Sequence, residues 1–327
     1  MRILVTGGTG FLGKRLTLAL LELGHNVRVL GRNEAVCRAL AAEGASIVRA
    51  DIRDSEAVRA ACAGMECVYH SAALSAPWGK PGDFHAINAE GTKHVADACL
   101  RENVGRLVYV SSPSVVFDGR DQVNVTENVA YPRRFLSVYS LTKKIGEDHV
   151  NSSQRAGLAT VIARPKAIFG PGDTTLLPRL LDRARQGRLP RIGDGRNLVD
   201  LTYLDCVVDA LVRCLSSPAG RTYTITNGEP VRLWDIVALL LARLGIEARL
   251  RQLPYRAAYA LGAALEFRAR LFGGEPALTR YTVAILGRTQ TYDITAARTG
   301  LGYNPPVPVA EGIERTLASL TEGRRDA

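Results

Sequence analysis

The chain has 327 residues, of which 46% are hydrophobic and 23% are charged. This composition is typical of a folded globular protein and excludes a disordered chain, a collagen-like chain and a coiled coil. Lys and Arg number 42 against 32 Asp and Glu, which leaves a net charge of +10. That surplus suits phosphorylated cofactors, acidic substrates or anionic surfaces. Nucleic acid is not an expected partner, because the sequence contains no nucleic-acid-binding motif.

Six cysteines are scattered through the chain without a C-x-x-C pair or any Cys/His spacing fit for zinc. We expect them to be reduced, and we expect no metal site. The chain opens with an apolar run at its third residue, which leaves no room for a signal peptide. No uncharged apolar stretch of about 18 residues occurs. The sequence therefore predicts a cytoplasmic protein without a transmembrane segment.

Short β-branched and apolar runs alternate with helical patterns in the first half of the chain. The runs predicted as strands are 2–6, 26–30, 46–50, 66–70, 106–112 and 158–164. Between the first two, apolar residues recur at helical spacing from Phe11 to Leu23 and stop at Gly24. This alternation predicts an α/β fold, a Rossmann doubly wound parallel sheet with helices on both faces.

The pattern changes after residue 165, where Gly and Pro cluster at 169–173. We therefore predict an NADP-binding Rossmann domain at 1–165 and a smaller C-terminal substrate lobe at 166–327. Later segments near 198–226 are expected to rejoin the first sheet, through strands at 198–203 and 222–226.

The strongest local motif is TGGTGFLG at 6–13, between the first strand and the first helix. Its three glycines have the spacing of a dinucleotide-binding loop. The first allows a tight turn, the second allows backbone to approach a pyrophosphate, and the third lets the helix pack close to the strand. The helix amino terminus attracts phosphates. The residues expected to bind the dinucleotide here are Gly7, Thr9, Gly10, Phe11, Leu12 and Gly13.

The end of the second strand indicates which dinucleotide is bound. A carboxylate there would bond the adenosine ribose and select NAD, but the sequence has Gly31 followed by Arg32. Because an arginine at this place pairs with a 2′-phosphate, we expect NADP(H) to be preferred over NAD(H).

The ends of the third and fourth strands complete the expected cofactor site. Asp51 and Ile52 are placed to meet the adenine ring, although Asp51 is equally suited to cap a helix, as are Asp54 and Ser55. After the fourth strand, small side chains stand where backbone must pass close to the dinucleotide. These are Ser71, Ala72 and Ala73.

The catalytic signal is YSLTK at 139–143, in which Tyr139 and Lys143 are one helical turn apart. A free phenol titrates near 10 and is a poor acid or base at neutral pH. An ammonium group close to it favours the phenolate and lowers the pKa of the phenol. The pair therefore predicts proton transfer by Tyr139.

These motifs together resemble the extended short-chain dehydrogenase/reductase family. The stretches that carry the resemblance are TGGTGFLG (6–13), SSPSVVF (111–117), YSLTK (139–143) and RPKAIFGPGD (164–173). The likeness continues to LGYNPPVPVAEGIERT at 301–316. Within the family the chain looks like the 3β-hydroxysteroid dehydrogenase-type branch. It is most similar to the bacterial 2-alkyl-3-oxoalkanoate reductases, which reduce a ketone in long-chain olefin biosynthesis.

By this resemblance Tyr139 is the proton donor, and Lys143 binds the nicotinamide ribose while tuning the tyrosine. A serine at the end of the fifth strand holds the carbonyl oxygen; Ser112 is favoured and Ser111 is the alternate. The remaining residues that the resemblance places at the cofactor site are Ser111, Asn88, which braces the active-site helix, Pro165, which packs by the nicotinamide, and Ile168.

The function that the resemblance implies is NADPH-dependent reduction of the ketone of a long-chain 2-alkyl-3-oxoalkanoic acid to the 3-hydroxy acid. The alternatives are a 3β-hydroxysteroid or sterol dehydrogenase that uses NAD(P), a sugar-nucleotide epimerase, and a cofactor-sensing scaffold without activity. The scaffold is disfavoured because both Tyr139 and Lys143 are present.

The resemblance also implies a homodimer, paired through helices near 89–103 and 138–155. The sequence leaves open whether the protein joins a multi-enzyme assembly. Residues 255–286 form an aromatic-bearing amphipathic region that suits a substrate lid, a partner surface, a membrane-surface helix or ordinary helical packing.

Overall fold

The computed structural model describes residues 1–174, 177–248 and 250–322. Its strands are β1 (Arg2–Thr6), β2 (Asn26–Gly31), β3 (Ser46–Arg49), β4 (Cys67–His70), β5 (Arg106–Val110), β6 (Gln122–Val125), β7 (Ala159–Pro165), β8 (Ile168–Phe169), β9 (Arg191–Ile192), β10 (Leu198–Val199), β11 (Thr202–Tyr203), β12 (Arg221–Ile225), β13 (Val231–Arg232), β14 (Gln252–Leu253) and β15 (Gln290–Tyr292).

The helices surround these strands. They are α1 (Phe11–Glu22), α2 (Glu34–Ala42), α3 (Ser55–Cys62), α4 (Pro81–Phe84), α5 (Gly91–Arg101), α6 (Val138–Arg155), α7 (Leu177–Arg185), α8 (Leu204–Arg213), α9 (Leu233–Arg243), α10 (Tyr255–Phe272), α11 (Arg280–Gly287), α12 (Thr295–Leu301) and α13 (Val309–Glu322).

Within the described ranges, seven strands form one sheet in the order β12-β7-β5-β4-β1-β2-β3. Every neighbouring pair in it is parallel. The prediction of a doubly wound parallel sheet is therefore confirmed. The strand order reverses between β1 and β4, and ligands of open α/β sheets bind in the crevice at such a point.

The second lobe contributes one strand to this sheet, but not both of those expected. β12 pairs with β7, as expected for 222–226. The expectation for 198–203 is wrong: β10 joins a separate sheet with β13, β15 and β6, and β11 pairs with β8. Each of these strands is only two residues long, and the turn before β10 contains Gly193 and Gly195 in the left-handed region. The domain boundary near residue 165 stays a prediction.

The main sheet separates two apolar cores because successive side chains of each strand point to opposite faces. In β1, Ile3 and Val5 pack on the side of α1, whereas Leu4 packs in the other core. α1 lies against α8 on the first face, and α5 lies between α3 and α6 on the second. All of these strand residues are fully buried. Covering both faces in this way makes the carboxyl end of the sheet the accessible edge for a ligand.

Two further findings bear on the sequence predictions. All six cysteines are buried and free, and the described residues contain no group of His, Cys, Asp and Glu side chains that could hold a metal ion. Across the same residues, no helix combines the length and the apolar character needed to cross a membrane.

His70, the last residue of β4, connects three elements beside the carboxyl end of the sheet. Its Nδ1 is 2.7 Å from the Thr6 hydroxyl and its Nε2 is 2.9 Å from the Thr92 hydroxyl. Thr92 donates its own proton to the Asn88 carbonyl at 2.6 Å, so Nε2 donates to Thr92 and Nδ1 accepts from Thr6. The network holds a neutral imidazole. Burial, with a smaller effect of the Lys143 charge, lowers the pKa of His70 to about 3.

We predict that His70 makes the protein less stable as the pH falls. Between the unfolded pKa of about 6.5 and the folded pKa of about 3, the unfolded chain binds a proton that the folded chain excludes. The free energy of unfolding should therefore fall with decreasing pH in this window, by up to about 1.4 kcal/mol per pH unit from this group. Urea denaturation at several pH values should show a shallower pH dependence for His70→Asn. Parallel curves for the two proteins would contradict the assignment.

Candidate active site

The loop between β1 and α1 is shaped by close backbone contacts. Gly7 has φ of 70°, and a Cβ atom on it would lie 2.6 Å from the Cα of Ala72. The Gly10 amide donates to the Gly7 carbonyl at 2.9 Å, and a side chain on Gly13 would collide with that carbonyl. Thr9 also belongs to this loop. No described side chain caps the amino terminus of α1, where Phe11 and Leu12 form the first turn.

This loop fits a dinucleotide. Its glycines let the backbone come close to a ligand, and the amino terminus of α1, which no described side chain caps, supplies amides from which a pyrophosphate accepts hydrogen bonds. Ser71 donates its hydroxyl to the Thr6 carbonyl at 2.8 Å, which holds the chain after β4 against β1. Ala72 thereby packs against Gly7, and Ala73 beyond it is exposed.

Close packing against the glycine loop explains why β2 ends in a glycine. A side chain on Gly31 would collide with the side chain of Thr9, so a carboxylate is not accommodated here while Thr9 stands in the loop. Arg32 follows, with its side chain 68% exposed and its Nη1 3.1 Å from Asp51. The interpretation of cofactor preference therefore depends on Arg32.

Asp51 binds arginines and does not cap a helix. Its carboxylate accepts from Arg53 at 2.9 and 2.8 Å as well as from Arg32, and these contacts hold the pKa of Asp51 far below its usual value. The helix cap is Asp54, which accepts from two first-turn amides of α3. Ile52 is 6% exposed, and its side chain packs against Gly91 and so lies in the core.

α6 carries the candidate catalytic pair. Ser137 caps the helix by accepting from the Ser140 amide, which starts α6 just before Tyr139. Lys143, one turn later, is 1% exposed. Its Nζ donates to the Val110 carbonyl at 2.6 Å and lies 4.1 Å from the centre of the Tyr109 ring. Burial lowers the pKa of Lys143 to about 7, and the Glu147 carboxylate acts in the opposite direction.

The expected effect of Lys143 on Tyr139 is not found. Burial raises the pKa of the Tyr139 phenol, while hydrogen bonding from Ser112 and Ser75 acts to lower it. The physical reason is that Lys143 is directed to a carbonyl oxygen at the end of β5, so burial dominates at the phenol. A shift in this direction favours the protonated phenol, the form that a proton donor needs.

The two candidate serines differ in position. β5 ends at Val110, short of the predicted 112, so both serines lie beyond the strand. Ser111 is 4% exposed, and its hydroxyl has no partner among the described residues. Ser112 accepts from the Ser114 amide at 3.2 Å and acts on the Tyr139 phenol. The structure thus brings Ser112, and the unpredicted Ser75, next to Tyr139.

Asn88 lies in a π-helical turn, His85–Glu90, between α4 and α5. Its Oδ1 accepts from the Leu74 amide at 2.7 Å, and its Nδ2 donates to the Leu74 carbonyl at 3.1 Å and to the Thr142 hydroxyl at 3.2 Å. Asn88 therefore connects the loop after β4 with α6, beside Lys143.

A buried ion pair that the sequence analysis missed fixes α6 to β7. Arg164 donates to Glu147 through Nε at 2.8 Å and Nη2 at 2.7 Å, and Tyr131 donates to Glu147 at 2.6 Å. The two charged side chains are 4% and 0% exposed. Two features of the sequence could have indicated this ion pair: Glu147 follows Lys143 by one helical turn, and Arg164 directly precedes Pro165.

A residue with an unusual backbone conformation follows this pair at the candidate nicotinamide position. Pro165 is buried at the end of β7, and Ile168 begins β8. Between them Ala167 has φ of 42°, in the left-handed region that a residue with a Cβ rarely adopts. Such strain persists where the surrounding structure enforces it, and functional sites often contain it.

A cavity of about 240 Å³ opens beside Tyr139. Its walls are mainly apolar and aromatic, and include Trp78, Phe84, Phe135, Leu136 and Tyr281. α10 lines the cavity with Glu266 and Arg270 and packs against α11. The region 255–286 thus borders the site, while Phe267, Leu271 and Phe272 on α10 are exposed.

Comparison with known proteins agrees with this geometry. Residues 4–255 match the 3-beta hydroxysteroid dehydrogenase/isomerase family. The chain is 40% identical to the 2-alkyl-3-oxoalkanoate reductase of Stenotrophomonas maltophilia, over 98% of this chain and 99% of the relative. It is 36% identical to the reductase of the same name from Shewanella oneidensis, over 97% and 85% respectively.

Among solved structures, the crystal structure of gox2253 superposes with a TM-score of 0.82 at 25% identity, covering 99% of this chain and 98% of that one. The resemblance inferred from the motifs is confirmed. The family implies a nicotinamide cofactor, which the glycine loop fits. The chain belongs to the 3-beta hydroxysteroid dehydrogenase/isomerase family and is an NAD(P)-dependent oxidoreductase of the extended short-chain dehydrogenase/reductase type.

Proposed function

We propose that the protein reduces the ketone of a long-chain 2-alkyl-3-oxoalkanoic acid to the 3-hydroxy acid with NADPH, with Tyr139 as the proton donor. The observation that carries this is the position of Tyr139, which lines an apolar cavity and has the Ser112 hydroxyl beside it. Identities of 36% and 40% to two proteins named 2-alkyl-3-oxoalkanoate reductase support the substrate class.

The mechanism follows from what these side chains do. The nicotinamide, when bound, supplies the hydride. Ser112 donates a hydrogen bond to the carbonyl oxygen, where negative charge develops as the carbonyl is reduced. Tyr139 transfers its phenolic proton to that oxygen. Lys143 is held in position by the Val110 carbonyl and supplies an ammonium group for the cofactor ribose.

A sterol or 3β-hydroxysteroid is the second candidate substrate, because the matching family bears that name and the aromatic cavity walls suit a steroid ring. Oxidation of a 3β-hydroxysteroid with NAD, combined with no turnover of 3-oxo acids with NADPH, would favour it. The catalytic residues would be the same.

Replacing Tyr139 by Phe should remove the proton donor and lower kcat by about 10²-fold or more, because general-acid catalysis contributes at least that much. NADPH binding, followed by its fluorescence, should survive. Ser112→Ala should also lower kcat, and Ser111→Ala is its matched control at the neighbouring position. A fully active Tyr139→Phe variant, or equal losses for the two serine variants, would contradict these roles.

We propose that NADP(H) is preferred over NAD(H), because Arg32 presents a largely exposed guanidinium of which one nitrogen engages Asp51. A charge-assisted hydrogen bond to a 2′-phosphate contributes about 1.5–3 kcal/mol, or roughly ten- to a hundredfold in affinity. Arg32→Ala should weaken NADPH binding by this factor and leave NADH binding unchanged. Equal affinity of the wild type for both cofactors, measured by titration calorimetry, would count against the proposal.

We further propose a cytoplasmic homodimer formed through α5 and α6. Both helices carry half-buried apolar side chains, among them Leu100 on α5 and Leu141 and Ile145 on α6. Six free buried cysteines suit a reducing compartment. Sedimentation velocity at micromolar concentration should give a dimer for the wild type and a monomer for Ile145→Asp. A wild-type monomer would refute the pairing.

A further inference from the structure

The charged side chains that line the cavity do not all have a partner of opposite charge. Among the described residues they are Glu266, Arg270 and Arg280. Glu266 is 5% exposed, and its Oε2 accepts from Arg280 at 2.9 and 2.7 Å, while its Oε1 accepts from the Arg280 amide at 2.7 Å. This pair is neutral as a whole, and both carboxylate oxygens are used.

Arg270 follows Glu266 by one turn of α10 and is the unmatched cation of the wall. Its guanidinium carbon lies 6.0 Å from the centre of the Trp78 ring. In the part of the chain that the structure describes, no carboxylate lies within ion-pair distance of Arg270. Stacking on an aromatic face leaves the edge of a guanidinium, with its N–H donors, free for another partner.

The cations nearer the end of the sheet are engaged already. Lys143 donates to the Val110 carbonyl at 2.6 Å. Lys166 donates to Gln290 at 2.6 Å and is paired in charge with Asp200. Neither is placed to take an anionic group from a ligand in the cavity without losing a buried contact.

We propose that Arg270 binds the carboxylate of the substrate and makes the site selective for acids over neutral ketones or alcohols of the same shape. This inference rests on the proposed function, in which one carbon separates the carboxylate from the ketone. Guanidinium matches carboxylate in planar, two-donor geometry. Arg270 is exposed at the wall of the cavity, where its guanidinium meets an incoming ligand, and the apolar walls around Trp78 receive the alkyl chains.

The test compares a long-chain 2-alkyl-3-hydroxy acid with the secondary alcohol of the same skeleton that lacks the carboxyl group. Both are oxidised with NADP⁺ as cofactor, the reverse reaction, because 3-oxo acids lose carbon dioxide. Tyr139 first gives its phenolic proton to solvent; the hydride then passes from the carbinol carbon to NADP⁺ and the hydroxyl proton to the Tyr139 phenolate, so the ketone, NADPH and one released proton are formed. The variants are Arg270→Met, which keeps the apolar stem, and Arg270→Lys, which keeps the charge. The control is Arg268→Met, at an arginine of the same helix that is equally exposed but does not line the cavity.

Arg270→Met should raise KM for the acid by about ten- to a hundredfold, with KM for the neutral alcohol and kcat little changed. Arg270→Lys should recover part of the loss, and Arg268→Met should behave like the wild type. Equal effects of Arg270→Met on both substrates, or none on the acid, would overturn the proposal.

A wild type that turns over neither compound would refute the proposed function and not, by itself, the role of Arg270. The role of Arg270 is then tested by the binding of myristate, a simple long-chain carboxylate. Binding is followed through the fluorescence of Trp78, in a protein in which the buried Trp234 is replaced by Phe. Weaker binding of myristate to Arg270→Met supports the anion site. An unchanged Kd, or no binding to the wild type, overturns it.

Discussion

The buried attachment of α6 to the sheet is the contact on which the rest of the site depends. Two charged side chains of one helix face enter the interior: Lys143 reaches the Val110 carbonyl at the end of β5, and Glu147 binds Arg164 on β7 through two hydrogen bonds. Removing one partner of such a pair leaves an uncompensated buried charge and costs about 3–5 kcal/mol. Helix position is therefore closely determined, and with it the placement of Tyr139 beside Ser112.

Close backbone approach is the second constraint, and it explains the small residues at the other side of the crevice. Gly7 lies against Ala72, and Gly31 lies against Thr9. His70 connects the same strands to α5 through two threonine hydroxyls. Burial thus keeps the His70 imidazole neutral, so that it adds no second positive charge near the Lys143 ammonium group.

The parallel sheet, the glycine loop and the Tyr139–Lys143 pair could be predicted from sequence because their signals are local. Glycine spacing, strand–helix alternation and the turn that separates Tyr139 from Lys143 each depend on neighbours in the chain. The errors concern long-range partners. The pKa of Tyr139 depends on burial and on Ser75, which is distant in sequence. Asp51 binds Arg32, 19 residues away, as well as its neighbour Arg53, and β10 joins strands from three separate segments. No local pattern carries that information.

The cavity between α6 and α10 holds the two groups that the proposed reaction uses. α6 supplies the proton donor, and α10 supplies an arginine without an acidic partner among the described residues. The reaction that we propose is carbonyl chemistry at carbon 3 of a long-chain acid. The most direct measurement uses a 2-alkyl-3-hydroxy acid carrying deuterium at carbon 3, with NADP⁺ and mass spectrometry of the cofactor. The account predicts NADPH that carries the deuterium. Unlabelled NADPH, or no reduced cofactor, would contradict it.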